Sequence, residues 1–150
     1  MTRTIGFCAL ICAATLVAVV AACCPSAMSD KNDFLHHFVN HELLGLLGII
    51  MTITLASAAN LHLEFNKIEE RFRHRGLTKT RRGVVQSAYC LIGLFFVSVV
   101  IVVAKPIASH SEVSEALFNG AALFVLLWNI LILIEITQMA FAIGPTIDDD

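Results

Sequence analysis

Four apolar runs separated by short polar stretches set the pattern of this chain. They extend from Ile5 to Ala22, from Leu43 to Phe65, from Val85 to Ala104 and from about Glu115 to Ile143. Crossing the hydrocarbon core of a bilayer takes about 20 apolar residues in a helix, so each run is long enough to span. The third run is rich in Val, Ile and Phe, which would suggest a strand in water. At this length in lipid, a helix is the single-segment structure that pairs all of its own backbone groups.

The pattern predicts an all-α integral membrane protein, one domain over residues 1–150, with four transmembrane helices at 5–24, 43–65, 85–104 and 116–143. Loops at 25–42 and 105–115 then lie outside, and 66–84 forms a basic hinge inside. The second helix is expected to begin before the membrane. Asp30 and Asp33 occupy N-cap positions ahead of Phe34 and Leu35, and one continuous helix runs to about His74, where Gly76 stops it. Thr78 or Thr80 caps the third helix, Lys105-Pro106 closes it, and Pro106 to Ser114 form the outer loop. Gly144-Pro145 stops the fourth.

The distribution of charge orients the helices. The stretch Asn66 to Gly83 carries seven of the ten Lys and Arg residues: Lys67, Arg71, Arg73, Arg75, Lys79, Arg81 and Arg82. Basic residues between membrane helices favour the cytoplasmic side. With Arg3 inside and Lys31 and Lys105 outside, both termini are expected to be cytoplasmic, and the setting to be the plasma (inner) membrane. The first run admits two further readings. It can be a cleaved signal peptide with Ala22 or Ala27 near the cut, which leaves three helices. Val20-Ala21-Ala22-Cys23 also resembles a bacterial lipobox, which would make Cys23 an acylated anchor.

Composition agrees with a membrane class. Hydrophobic residues are 57% and charged residues 15%, with a net charge of -2 that includes the acidic end Asp148 to Asp150. Cys8, Cys12, Cys23, Cys24 and Cys90 show no CxxC spacing, which argues against a disulfide framework or a zinc finger. No aromatic or glycine pattern accompanies the basic hinge, so anionic lipid fits better than nucleic acid.

Three groups of residues carry candidate chemistry. Gly45, Gly48, Thr52 and Ala56 place small side chains along one face of the second helix, a pattern that lets helices approach closely. That face serves either as a seam inside the bundle or as a homo-oligomer contact, and in both cases is expected to be buried against protein. Towards the inner boundary lie Asn60, His62 and Glu64, with Glu135 and Gln138 on the fourth helix, which also carries Asn129 near mid-membrane. Polar groups at that depth need partners or water, and Glu135 is the leading candidate, with His62, Arg81 or Arg82 as its partner. At the outer side, His37 and His41 are spaced by four, as a metal pair on one helical turn requires, and His110 is available as a third ligand. The same histidines suit pH sensing or plain solvated helix ends.

No phosphate loop, nucleophile elbow or dinucleotide fingerprint occurs, so an enzyme is not expected, nor a cofactor. The expected role is a small polytopic subunit that oligomerises and couples through the hinge to anionic lipid or a cytoplasmic protein partner. The alternatives are a small channel or proton-coupled transporter using Glu135 and Asn129, and a metal- or haem-binding membrane protein using His37, His41 and His110.

Overall fold

The computed structural model describes residues 2–72 and 78–142, and side chains at 8–67, 69–70, 80–81 and onwards to 141. Among the described residues every regular element is helical. The order is α1 (Thr2–Cys23), α2 (Pro25–Met28), α3 (Asp33–His37), a wide π-type turn (Phe38–Glu42), α4 (Leu43–Phe72), α5 (Thr78–Ala108) and α6 (Glu112–Ala142). Three stretches are long and apolar enough to cross a membrane: Asp33–Lys67, Thr80–Ala108 and Glu112–Phe141. Cys8–Cys23 of α1 is a shorter apolar helix.

The helix ends follow local chemistry. The backbone leaves helical geometry at Cys24, and Pro25 opens α2, where a missing N–H costs nothing. The cap of α3 is Asn32, whose side chain accepts from the Leu35 amide at 3.4 Å; Asp33 is already inside the helix and Asp30 is engaged elsewhere. The expected single helix from Asp33 is interrupted. Val39 and Asn40 adopt non-helical dihedrals, and Leu35, Val39, Leu43 and Leu47 on either side of the break are all buried.

Helix α5 also runs further than expected, through Pro106 to Ala108, because a proline in the last turn removes a single helical bond there. The Lys105 carbonyl accepts from both the amide and the hydroxyl of Ser109, at 3.0 and 2.6 Å. The connection between α5 and α6 is therefore only 109–111. Ser111 then caps α6 reciprocally: its hydroxyl accepts from the Ser114 amide at 3.2 Å while the Ser114 hydroxyl accepts from the Ser111 amide at 3.0 Å. Glu112 and Glu115 lie in that first turn, beside the positive end of the helix dipole.

Helix α6 is the centre of the bundle and packs against α1, α2, α4 and α5. Two apolar clusters fill the interior. One joins Leu61, Phe65, Val84, Leu91 and Ile136; the other joins Ala21, Leu35, Val39, Leu43, Leu47 and Ala122. Helices α1 and α6 meet closely at Gly120. A Cβ on Gly120 would stand 2.5 Å from Cγ1 of Val17, so the absence of a side chain is what lets the two helices meet.

Hydroxyls inside the helices are satisfied locally. Thr52, Thr54, Ser57, Ser98 and Thr137 each donate to the carbonyl four residues back, at 2.6 to 3.0 Å. The outer surface of the bundle is apolar, with Ile49 and Ile53 on α4, Phe96, Val100 and Val103 on α5, and Leu16 and Val19 on α1 all exposed. Such a continuous apolar exterior is what lipid contact requires.

Candidate functional site

The small-residue face of α4 points outward. Gly45, Thr52 and Ala56 are exposed and Gly48 is half-buried, while Leu43, Leu47, Thr54, Ala58, Leu61 and Phe65 make the buried face. Gly45, Thr52 and Ala56 therefore do not form a seam inside one chain, while Gly48 stands at the edge of the face, where a Cβ would lie 4.0 Å from the Phe95 ring of α5. Inward and outward faces of a membrane helix are both apolar, so polarity could not assign the direction. The Thr52 hydroxyl donates to Gly48 at 2.8 Å, which leaves this face smooth and without polar demand.

The polar residues expected near the inner boundary do not form one cluster. Asn60 and Glu64 are exposed, and Glu64 pairs with Lys67 at 2.7 Å on the same helix. His62 is half-buried in a groove between α4 and α5. Gln138 is exposed, and Glu135 is half-buried on α6 within electrostatic reach of Cys90 on α5. Asn129 is fully buried, and its amide donates to Val125 of its own helix at 2.9 Å.

At the basic end, Arg81 ties α5 to α4. Its guanidinium donates to Oδ1 of Asn66 at 3.3 Å and lies 3.8 Å from Glu69. Arg82 is exposed. Arg73, Arg75 and Gly76 lie outside the described residues, as do the side chains of Arg71 and Lys79 and the acidic end 148–150.

The outer histidines are exposed and separate. His37 pairs with Asp33 at 3.5 Å, and the non-helical residues Val39 and Asn40 interrupt the turn that was to align it with His41. Among the described residues no three His, Cys, Asp or Glu side chains come together in a way that could hold a metal ion. The trio His37, His41 and His110 is therefore not assembled.

The end of the bundle away from Arg81 holds a polar knot that the sequence pattern does not announce. Lys105, with 8% of its side chain exposed, is 2.7 Å from Oδ1 of Asp30. The amide of Asn119, a fully buried residue, donates to the Met28 carbonyl at 2.8 Å and to Asp30 Oδ1 at 3.0 Å. The Asp30 amide donates to Glu115 at 3.2 Å, and His36 Nδ1 lies 3.4 Å from the second Asp30 oxygen. Lys31 pairs with Glu112 beside it. Burial opposes the charge on Asp30, but bonds from Lys105 and Asn119 outweigh it and hold the carboxyl below its usual range.

Chemically this knot is a clasp. Every group in it is engaged within the chain except Asn119 Oδ1, which is buried without a partner, and the arrangement joins the α2–α3 link to the end of α5 and the start of α6. The available signal was positional: Asp30, Lys105 and Asn119 each flank or enter an apolar run at the same end of the bundle. No family model, curated protein or solved structure matches this chain.

Proposed function

We propose that this chain is a non-enzymatic, multi-pass subunit of the plasma membrane, with four membrane helices and both termini and the basic hinge on the cytoplasmic side. It self-assembles through the face of α4 carrying Gly45, Gly48, Thr52 and Ala56, and couples through the hinge to anionic lipid or a cytoplasmic protein. The observation that carries this reading is the direction of that face: Gly45, Thr52 and Ala56 are exposed, on the side of α4 opposite its buried residues. In lipid, close van der Waals packing drives helix association, and small side chains supply it.

The test is the native mass of the protein in mild detergent, with Thr52→Leu and Ala56→Leu introduced together. The wild type should run as a discrete oligomer and the variant as a smaller particle of unchanged helix content. An unchanged particle size would sink the assembly reading.

A further inference from the structure

Between the inner-end halves of α4 and α5 a groove of about 540 Å³ opens on the outside of the bundle. Leu55, Ala59 and His62 form one wall, and Val85, Ala88, Tyr89 and Ile92 form the other. Further along the same pair of helices the ring of Phe95 comes within 4.0 Å of where a Cβ on Gly48 would be, so the groove ends before that point. The size falls in the usual range of ligand sites, roughly 300 to 1,000 Å³.

Polarity along the groove is graded. Leu55 and Ile92 at the deep end are apolar, His62 and Tyr89 bring an imidazole and a phenol, and Tyr89 is 72% exposed. Arg82 lies seven residues before Tyr89 in the same helix. Seven residues make nearly two turns, so the two side chains leave the helix within about 20° of each other. Arg82 therefore stands in line with the α5 wall, about 10 Å closer to the basic end. It is exposed, and among the described residues it makes no ion pair, whereas Arg81 is taken by Asn66 and Glu69.

A cation, then hydrogen-bonding groups, then a hydrocarbon-lined channel is the order of groups that one phospholipid presents from its phosphate inward. The apolar wall from Leu55 to His62 rises about 10 Å, within the roughly 15 Å of one leaflet's hydrocarbon. We infer that this groove is a binding site for one anionic phospholipid, its phosphate at Arg82 and the upper part of one acyl chain between Ala59 and Tyr89. The site rests on the reading of this chain as a membrane subunit and makes the hinge's attraction for lipid specific to one position.

The test counts phospholipid retained on the full-length protein after it is equilibrated in mixed micelles of phosphatidylglycerol and phosphatidylcholine and passed through gel filtration. The wild type should keep one phospholipid per chain, with a roughly fivefold preference for phosphatidylglycerol, as one cation beside a net-negative headgroup supplies, whereas the choline of phosphatidylcholine already neutralises its phosphate. Arg82→Gln should keep the lipid and lose the preference. Ala59→Trp and Ala88→Phe, which fill the groove from either wall, should each lose the lipid with helix content intact. A wild type that retains none, or two filling variants that both retain the full amount, overturns the site. A filling variant that lowers native mass while keeping its lipid assigns the groove to a second copy instead. The Thr52→Leu, Ala56→Leu protein separates the two readings, since its particle size reports assembly while its lipid count per chain reports the groove.

Discussion

Asp30 and Lys105, far apart in the chain, form an ion pair of 2.7 Å at the end of the bundle away from Arg81. The lysine is nearly enclosed and the aspartate keeps 24% of its side chain exposed. Removing one partner of an enclosed pair strands the other, at a cost of about 3 to 5 kcal/mol in full burial. Asp30→Ala is therefore expected to cost about 3 kcal/mol, because it leaves Lys105 without its carboxylate. Adding Lys105→Met should recover much of that loss. Thermal unfolding of both proteins in the same detergent checks this, and equal melting temperatures for Asp30→Ala and wild type would contradict the pairing.

Acid should loosen the same clasp. The folded carboxyl of Asp30 sits below its usual range, so the protonated form is favoured more in the unfolded chain than in the folded one. The stability from this group is complete above the ordinary carboxylate value of about 4, and is lost as pH falls through the lower folded value. Melting temperatures recorded from pH 6 down to pH 3 should decline in that lower window. Asp30→Asn should start lower and show a shallower decline.

The two enclosed asparagines on α6 should behave oppositely when replaced by leucine. Asn119 serves the Met28 carbonyl and Asp30, both outside its own helix, so Asn119→Leu leaves those acceptors short and should cost about 1 to 3 kcal/mol. Asn129 donates to its own helix at Val125, so Asn129→Leu should change stability by less than about 1 kcal/mol. Paired melts in one detergent decide it. A large loss for Asn129→Leu alone would reveal a second role for that amide.

Gly120→Ala should force α1 away from α6. The added methyl meets Val17, a branched side chain with little rotamer freedom, at 2.5 Å. Overpacking of this kind costs about 1 to 3 kcal/mol, and cleavage by added protease near Cys24-Pro25 should quicken as α1 loosens. Val17→Ala in the same chain should restore protection. If Gly120→Ala resists protease like the wild type, α1 does not pack on α6 as described.

Much of the architecture was legible in the order of residues because apolar length and charge are local properties. The runs that became α1, α4, α5 and α6 announce themselves, and so does the basic stretch. What escaped depends on contacts between distant positions. Nothing in Phe38 to Glu42 marks a helix break, since neither glycine nor proline is present, yet Val39 and Asn40 leave helical geometry while Val39 and Leu43 stay buried. Lys105 looked like an ordinary outer-loop cation and is instead enclosed, because its partner comes from the link between α2 and α3. The small residues of α4 share a face, as their spacing requires, but which way that face turns was decided by Phe65, Leu61 and Leu47 on the other side.

The hydroxyls that bond back within their own helices bear on how this protein is made. A serine or threonine that has already closed on the carbonyl four residues behind it asks nothing of a neighbour. Each long helix can thus pass into the bilayer as a finished rod, one after another, without waiting for the rest. Sorting of the rods into one arrangement then falls to the outer end, where Asp30 has no proper company until the last helices deliver Lys105 and Asn119. Biogenesis would proceed as insertion first and fastening afterwards, with the fastening completed only when the whole chain has emerged.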